Sequence, residues 1–157
     1  MTFKRVRYFD GQFLSTSDLQ SEQQYFLDKQ RARNRFLYGS GIVEGLTLSL
    51  ENDSVIISPG MAIDTSGNEI YVANPVRLAL PEKRSWFITL RYAERLTDLV
   101  PSTGGENETE ASRVEEYSVA ELAPAAPDNS VAIGRVFLQR GQWSLDRHFS
   151  PRHIRCR

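Results

Sequence analysis

The chain has 157 residues with 19 basic and 20 acidic side chains, so its net charge of −1 gives no general argument for nucleic-acid binding. This length is enough for one domain with a substantial core, and no apolar run approaches the ~20 residues of a membrane-spanning helix. A signal-peptide apolar region is absent, and the single cysteine, Cys156, excludes an internal disulfide framework and fits a reducing compartment.

The first predicted elements are an extended N-terminal arm and a long helix. Asp10-Gly11 is a turn signal, and Ser15 followed three residues later by Asp18 is the pattern of a capping box. Residues 16–38 contain no glycine or proline, and Gly39 predicts the end of the helix. At 1.5 Å per residue, this span predicts a rod about 35 Å long.

This predicted helix has a thin apolar stripe, and two interpretations of it are open. It is either an ordinary helix that packs on a sheet through its C-terminal half, or a helix that projects and packs on another subunit. Because the span exceeds the usual 10–14 residues of a globular helix, we favour the second interpretation. The predicted partner-docking residues are Leu19, Tyr25, Phe26, Arg33 and Phe36.

Beyond Gly39 the spacing of apolar residues changes from the period of a helix to the two-residue period of a strand. Short alternating segments separated by turn signals predict about seven or eight strands. The strongest is residues 86–92, which combine aromatic and β-branched side chains. Since no helical pattern separates consecutive strands, the predicted fold class is α+β: an N-terminal arm and long helix followed by an antiparallel β-sandwich or barrel-like domain.

Composition also divides the chain into predicted units. Residues 1–39 form the arm and docking helix, residues 40–147 the antiparallel β domain, and residues 148–157 a basic C-terminal tail. Within the β domain, residues 97–112 contain glycine, serine and glutamate with almost nothing apolar, which predicts a long mobile loop.

Charge is distributed unevenly along the chain. Residues 1–38 carry seven basic and four acidic side chains, whereas residues 94–128 carry two basic and nine acidic ones. The acidic side chains of the predicted loop are better explained by solvation than by glycosidase chemistry, because paired catalytic carboxylates need fixed geometry.

The residues that could carry metal or nucleophilic chemistry lie near the C-terminus. His148, His153 and Cys156 fall within nine residues, but a zinc site usually needs two close pairs of ligands. A Cys-His nucleophile pair needs a pocket and an orienting group, which a chain end rarely provides. We therefore predict solvent-facing tail residues, no catalytic residue, no metal and no cofactor.

Several segments in order resemble baseplate-associated proteins of contractile injection systems, which are phage-tail-like particles. The first is RYFDGQFLSTSDLQSEQQY at residues 7–25, and the second is RNRFLYGSGIVEGLTL at residues 33–48. VIISPGMAIDTSGNEIYV at residues 55–72 is similar to a β element of baseplate and tail-fibre proteins. Later landmarks are ITLRYAE at residues 88–94 and SRVEEYSV at residues 112–119.

This resemblance implies a structural baseplate component, present in several copies, that binds other baseplate subunits and links them to a peripheral fibre or an anchoring element. It implies a cytoplasmic particle whose membrane or fibre contact is made through partners. The residues themselves predict no enzymatic activity and no nucleic-acid partner, because neither a catalytic set nor a nucleic-acid-binding motif is present. The alternative is a tail-fibre-type module that recognises a glycan or surface ligand through its loops. Trp86, Tyr92 and Phe137 fall within predicted strands, which favours the structural role.

Overall fold

The computed structural model describes residues 2–81, 85–103 and 109–154. Helix α1 (Thr16–Arg33) continues as a π-helical segment (Asn34–Tyr38), and Gly39 follows with a positive φ of 73°. The predicted capping box is confirmed: the Ser15 hydroxyl accepts the Asp18 N–H at 3.2 Å, and the Asp18 carboxylate accepts the Ser15 N–H at 3.0 Å. The predicted helical span is therefore confirmed, and its last turn changes to π geometry.

The described residues after the helix contain ten strands, arranged in three antiparallel sheets. The sheet orders are β1-β4-β5, β2-β3-β6 and β10-β9-β7-β8. The strands are β1 (Gly41–Gly45), β2 (Leu48–Glu51), β3 (Ser54–Ile57), β4 (Gly60–Ile63), β5 (Glu69–Val72), β6 (Val76–Ala79), β7 (Ser85–Pro101), β8 (Thr109–Ala123), β9 (Val131–Gln139) and β10 (Gln142–Leu145). The predicted α+β class, a helix followed by an antiparallel β domain, is confirmed.

One hydrophobic core joins the three sheets. Strand β3 shows the pattern clearly, because Val55 and Ile57 are buried while Ile56 points to the other face of the sheet. In β7 the buried apolar residues are Ile88 and Leu90, and Thr89 between them is buried as well. The remaining buried members come from neighbouring strands and their connections: Ile42, Leu46, Ala62, Ile70, Val72, Leu80, Val131, Ile133 and Val136.

The predicted loop at residues 97–112 is shorter in the structure. Residues 97–101 continue β7 and residues 109–112 begin β8, with Leu99 opposite Ala111 and Pro101 opposite Thr109. The prediction is wrong for these residues because a long hairpin satisfies their backbone hydrogen bonds even though their side chains contribute little to a core. Residues 104–108 lie outside the described residues.

The C-terminal segment packs against the β domain through its backbone, although His148 and His153 are exposed as predicted. The Ile42 N–H donates to the Arg152 carbonyl at 2.8 Å, and the Ile154 N–H donates to the Ile42 carbonyl at 2.7 Å. Ile154 is buried, and a side chain at Gly41 would overlap the Arg152 backbone. Residues 152–154 therefore pack against β1, and Cys156 lies outside the described residues.

Candidate functional site

The N-terminal arm folds back along one face of α1. The Phe3 ring meets the Tyr25 ring edge-on, with 6.4 Å between centroids, and the Tyr8 hydroxyl donates to the Glu22 carboxylate at 2.7 Å. That hydrogen bond raises the pKa of Tyr8. Because these contacts are exposed, they position the arm on the helix without burying it.

The second half of the helix is attached to the β domain mainly by polar contacts. Arg31 forms an ion pair with Glu94 at 3.1 Å. Asn34, which is buried, donates from its side-chain amide to the Gly67 carbonyl at 2.9 Å and to Glu69 at 3.1 Å. Gly67 has a φ of 87°, and a Cβ there would overlap the carbonyl oxygen of Arg31. The helix therefore approaches this turn so closely that the turn requires glycine.

Two groups at this attachment have shifted pKa values. Burial acts to raise the pKa of Glu69, but hydrogen bonds from Asn34 and neighbouring side chains outweigh it and lower the pKa below its ordinary value. Burial raises the pKa of Tyr92, and hydrogen bonds to the Glu94 and Glu116 carboxylates raise it further. The Tyr92 hydroxyl donates to the Glu94 carboxylate at 2.6 Å and so holds that side chain beside Arg31.

We expect Asn34→Leu to lower the free energy of unfolding by about 1–3 kcal/mol, because it leaves the Gly67 carbonyl and Glu69 without their buried donor. Thermal and denaturant unfolding would measure the loss. The matched control is Gln24→Ala on the same helix, which removes only an exposed hydrogen bond to Asp28 and is expected to cost below about 0.5 kcal/mol. Equal losses in the two variants would show that the polar attachment does not hold the helix in place.

The predicted docking residues lie on the outer surface of the helix. Phe26 is 62% exposed, Phe36 is 78% exposed and Leu19 is 50% exposed. Arg33 is also exposed, whereas Tyr25 is half-buried between Phe3 and Phe26. Leu19, Phe26 and Arg33 recur every seven residues, so they share one face of α1. All three side chains on that face are exposed in the structure.

Sequence reasoning missed other exposed apolar residues at the two ends of this stripe. In the arm, Phe13 is 96% exposed and stands beside Phe9 and Leu14, which are also exposed. In the π-helical segment, Leu37 and Tyr38 are exposed next to Phe36. The signal for the arm residues was present in the sequence as large apolar side chains flanking the Asp10-Gly11 turn. We define the docking surface as this whole set: Phe9, Phe13, Leu14, Leu19, Phe26, Phe36, Leu37 and Tyr38.

The candidate chemical residues do not form a site among the described residues. His148 and His153 are both exposed, and the His153 backbone bridges to Ile42. Across residues 2–81, 85–103 and 109–154, no group of three or more His, Cys, Asp or Glu side chains is placed to hold a metal ion. Nor does this part of the chain contain a helix long and apolar enough to span a bilayer.

The aromatic residues that bear on the ligand-binding alternative are not displayed on loops. Trp86 and Tyr92 pack against the core, and Phe137 lies within β9. The most exposed aromatic side chains, Phe9, Phe13, Phe26 and Phe36, belong instead to the arm and the helix, while the β domain exposes Tyr71 and Tyr117 on strands. This distribution favours a protein partner at the docking surface over a small ligand on the β domain.

Comparison with solved structures shows the same fold in baseplate proteins. The chain matches a component of a baseplate complex from the type VI secretion system with a TM-score of 0.61 and 16% identity, covering 96% of this chain and 60% of that one. A chain of the TssK-TssF-TssG baseplate subcomplex matches with a TM-score of 0.61 and 16% identity, and the match covers 96% of this chain and 62% of that one. The crystal structure of TssK matches with a TM-score of 0.59 and 16% identity, and the match covers 94% of this chain and 42% of that one.

These structures are components of contractile injection system baseplates, so the resemblance predicted from the sequence is confirmed at the level of the fold. No protein-family model matches the sequence, and no curated protein does either. The match spans only part of each solved chain: 60% of the first, 62% of the second and 42% of the third.

Proposed function

We propose that this chain is a structural component of the baseplate of a contractile injection system of the type VI secretion kind. The observation that carries the proposal is the shared fold over 96% of the chain with baseplate components. A fold by itself does not define a function, so the proposal also depends on the chemistry of the surface. That surface offers an apolar stripe for a protein partner, which supports a structural role.

The partners we propose are other baseplate subunits, bound through the docking surface. Leu19, Phe26 and Phe36 supply its apolar contacts. The Tyr25 ring meets the Phe26 ring edge-on, and Arg33, next to this surface, adds a forked hydrogen-bond donor suited to an interface. Burying one such phenylalanine or leucine would contribute about 1.5–3 kcal/mol to binding before the entropic costs of association. A few residues of this kind are enough to define the centre of an interface.

The finer parts of the proposal concern position within the particle. We propose that several copies are present, that the β domain faces outward, and that it links the baseplate to a peripheral fibre or anchoring element. The particle would be cytoplasmic, with membrane attachment made through its partners. The polar attachment of the helix at Asn34 and Arg31 supports this arrangement, because it holds the stripe in place without covering it.

The experiment compares particles from cells with and without this chain. Particles are purified through an affinity tag on a different baseplate subunit, and their composition and shape are examined by mass spectrometry and cryo-electron microscopy. We expect the chain to be present in fixed stoichiometry, and we expect its deletion to leave baseplates incomplete. Normal particles from the deletion strain, with the chain absent from wild-type particles, would refute the proposal.

A further inference from the structure

Strand β10 is at the edge of the β10-β9-β7-β8 sheet and pairs with β9 on one side only. The Asp146 N–H donates to the Arg135 carbonyl at 2.8 Å, so every second residue back along β10 from Asp146 bonds to β9 in the same way. The residues between them, Trp143 and Leu145, direct their N–H and C=O groups away from β9. Within the described part of the chain, no backbone group hydrogen-bonds to them on that side.

Strand β10 also lacks the charged side chains found on the other edge strands. A charge on an exposed edge discourages pairing with another chain. The five other edge strands among the described residues follow this rule: β1 has Glu44, β2 has Glu51, β5 has Glu69, β6 has Arg77, and β8 has several charged residues. Strand β10 reads Gln-Trp-Ser-Leu and has none. Its edge is therefore open to pairing with a further strand.

An open pocket of about 600 Å³ lies beside this edge. Its apolar wall is formed by Leu50 from β2, Phe137 from β9 and Leu145 from β10, all of which are half-buried. Because these side chains leave apolar surface accessible, an aliphatic side chain that enters the pocket removes apolar area on both molecules from water. The pocket thus offers a side-chain contact to a segment whose backbone pairs with β10.

The charges around this edge are predominantly basic. Residues 131–154 contain four arginines and a single acidic residue, Asp146. The Asp146 carboxylate is already engaged, because it accepts a backbone N–H at 2.9 Å and lies 3.7 Å from the Arg135 guanidinium. Arg140, in the turn before β10, and Arg147, just after β10, are both exposed, and neither forms an ion pair with another described residue. One unpaired arginine therefore lies at each end of β10.

These charges favour an acidic segment of another protein over a second copy of this chain. Two copies paired in register through β10 would place Arg140 opposite Arg147 if antiparallel, and each arginine opposite its equivalent if parallel. Both arrangements put like charges together, which is destabilising. A segment with an acidic residue at each end instead matches both arginines. At about 3.4 Å per residue, about seven extended residues cover the distance between them.

We propose that the free edge of β10 binds an extended segment of a protein partner, with acidic ends and an aliphatic centre. Its backbone bonds to Trp143 and Leu145, and an aliphatic side chain fills the pocket at Phe137. Its acidic side chains pair with Arg140 and Arg147. The bound segment becomes a fifth strand of this sheet, which is a recurrent mode of peptide recognition. The proposal does not depend on a role in a baseplate, and β10 is separate from the docking surface.

The first test titrates a dye-labelled peptide, Glu-Thr-Val-Thr-Leu-Thr-Glu, into the full chain and follows its fluorescence anisotropy. We expect saturable binding that Arg147→Glu weakens at least about tenfold, because the variant places like charges opposite each other. The matched control is Arg113→Glu, which changes the net charge equally but lies on β8 at the other edge of the same sheet. It should weaken binding less than about threefold by general electrostatics. Circular dichroism confirms that both variants remain folded, since both positions are exposed.

The second test asks whether the peptide pairs through its backbone. Alternate residues of a strand face opposite edges, so N-methylation of the valine and leucine removes donors from one edge of the peptide. N-methylation of the first two threonines removes them from the other edge. One of these two patterns should weaken binding at least about tenfold and the other less than about threefold. In the complex, hydrogen exchange should slow at the Trp143 and Leu145 amides.

Four results would overturn the proposal. One is the absence of saturable peptide binding at millimolar concentration, and another is equally tight binding of the peptide with lysine in place of both glutamates. Equal weakening by Arg147→Glu and Arg113→Glu would reduce the effect to net charge. Equal effects of the two N-methylation patterns would exclude strand addition. If the peptide does not bind but the chain self-associates in light scattering, and Arg147→Glu alters that association, the edge belongs to a second copy.

Discussion

Phe26→Asp is expected to abolish assembly of the chain into its particle while leaving the isolated chain folded. Phe26 is 62% exposed and contacts the Tyr25 ring with 5.2 Å between centroids, so the isolated chain loses little packing. We expect its free energy of unfolding to change by no more than about 1 kcal/mol. In an interface the new carboxylate would be buried without a partner, at a cost of several kcal/mol. A loss of about 4 kcal/mol is roughly a thousandfold in affinity.

Assembly would be measured as the amount of this chain in particles purified through another subunit, with unfolding of the isolated variant measured in parallel. Phe26→Leu is the matched control, because it keeps apolar surface at the position and should retain assembly. If the aspartate variant unfolds alone, Phe26 belongs to the core of its own chain. If the variant folds and still enters the particle, the helix is not the docking element and the β domain must bind the partner.

Ile57→Ala is expected to cause the largest loss of stability among single core truncations in the β2-β3-β6 sheet. Ile57 is 0% exposed and lies between Leu48 and Val76 on the neighbouring strands. Truncating such a side chain costs about 2–5 kcal/mol, from lost apolar burial and from the cavity left behind. For a chain of this length the melting temperature should fall by about 5–15 °C.

Ile56→Ala is the control, because it removes the same atoms from the adjacent residue on the other face of β3, where the side chain is half-buried. We expect it to cost less than half as much, as measured by calorimetry and denaturant unfolding. Equal losses would mean that the two faces of this sheet are packed alike, which would contradict the arrangement of the core.

Phe26 and Ile57 differ in how far their roles could be predicted from the sequence. Both belong to periodic patterns: Leu19 and Phe26 at helical spacing, and Val55 and Ile57 at the spacing of a strand. Periodicity shows which residues share a face, since it follows from local backbone geometry. It does not show what covers that face. The structure places Ile57 in the core, whereas the docking role of Phe26 remains a prediction.

The sequence alone determined the elements that depend on interactions between residues close together in the chain. Ser15 and Asp18 form the capping box because both partners lie within four residues of each other. The alternation of residues 86–92 predicted the first half of β7, and Gly39 predicted the end of the helical span. In each case the interacting groups are close in the chain, so the pattern contains the physical reason.

Only the tertiary structure decided the features that depend on distant partners. Residues 97–101 and 109–112 have the composition of a loop, yet each satisfies the other's backbone hydrogen bonds across the hairpin. Strand β1 is rich in glycine, and its Ile42 pairs with residues 152–154, more than a hundred positions away. The attachment of Asn34 to Gly67, and the pocket between β2 and β10, likewise exist only once folding brings these segments together. No local pattern marks such pairs, because a hydrogen bond or a pocket wall needs both partners and the sequence around one of them does not specify the other.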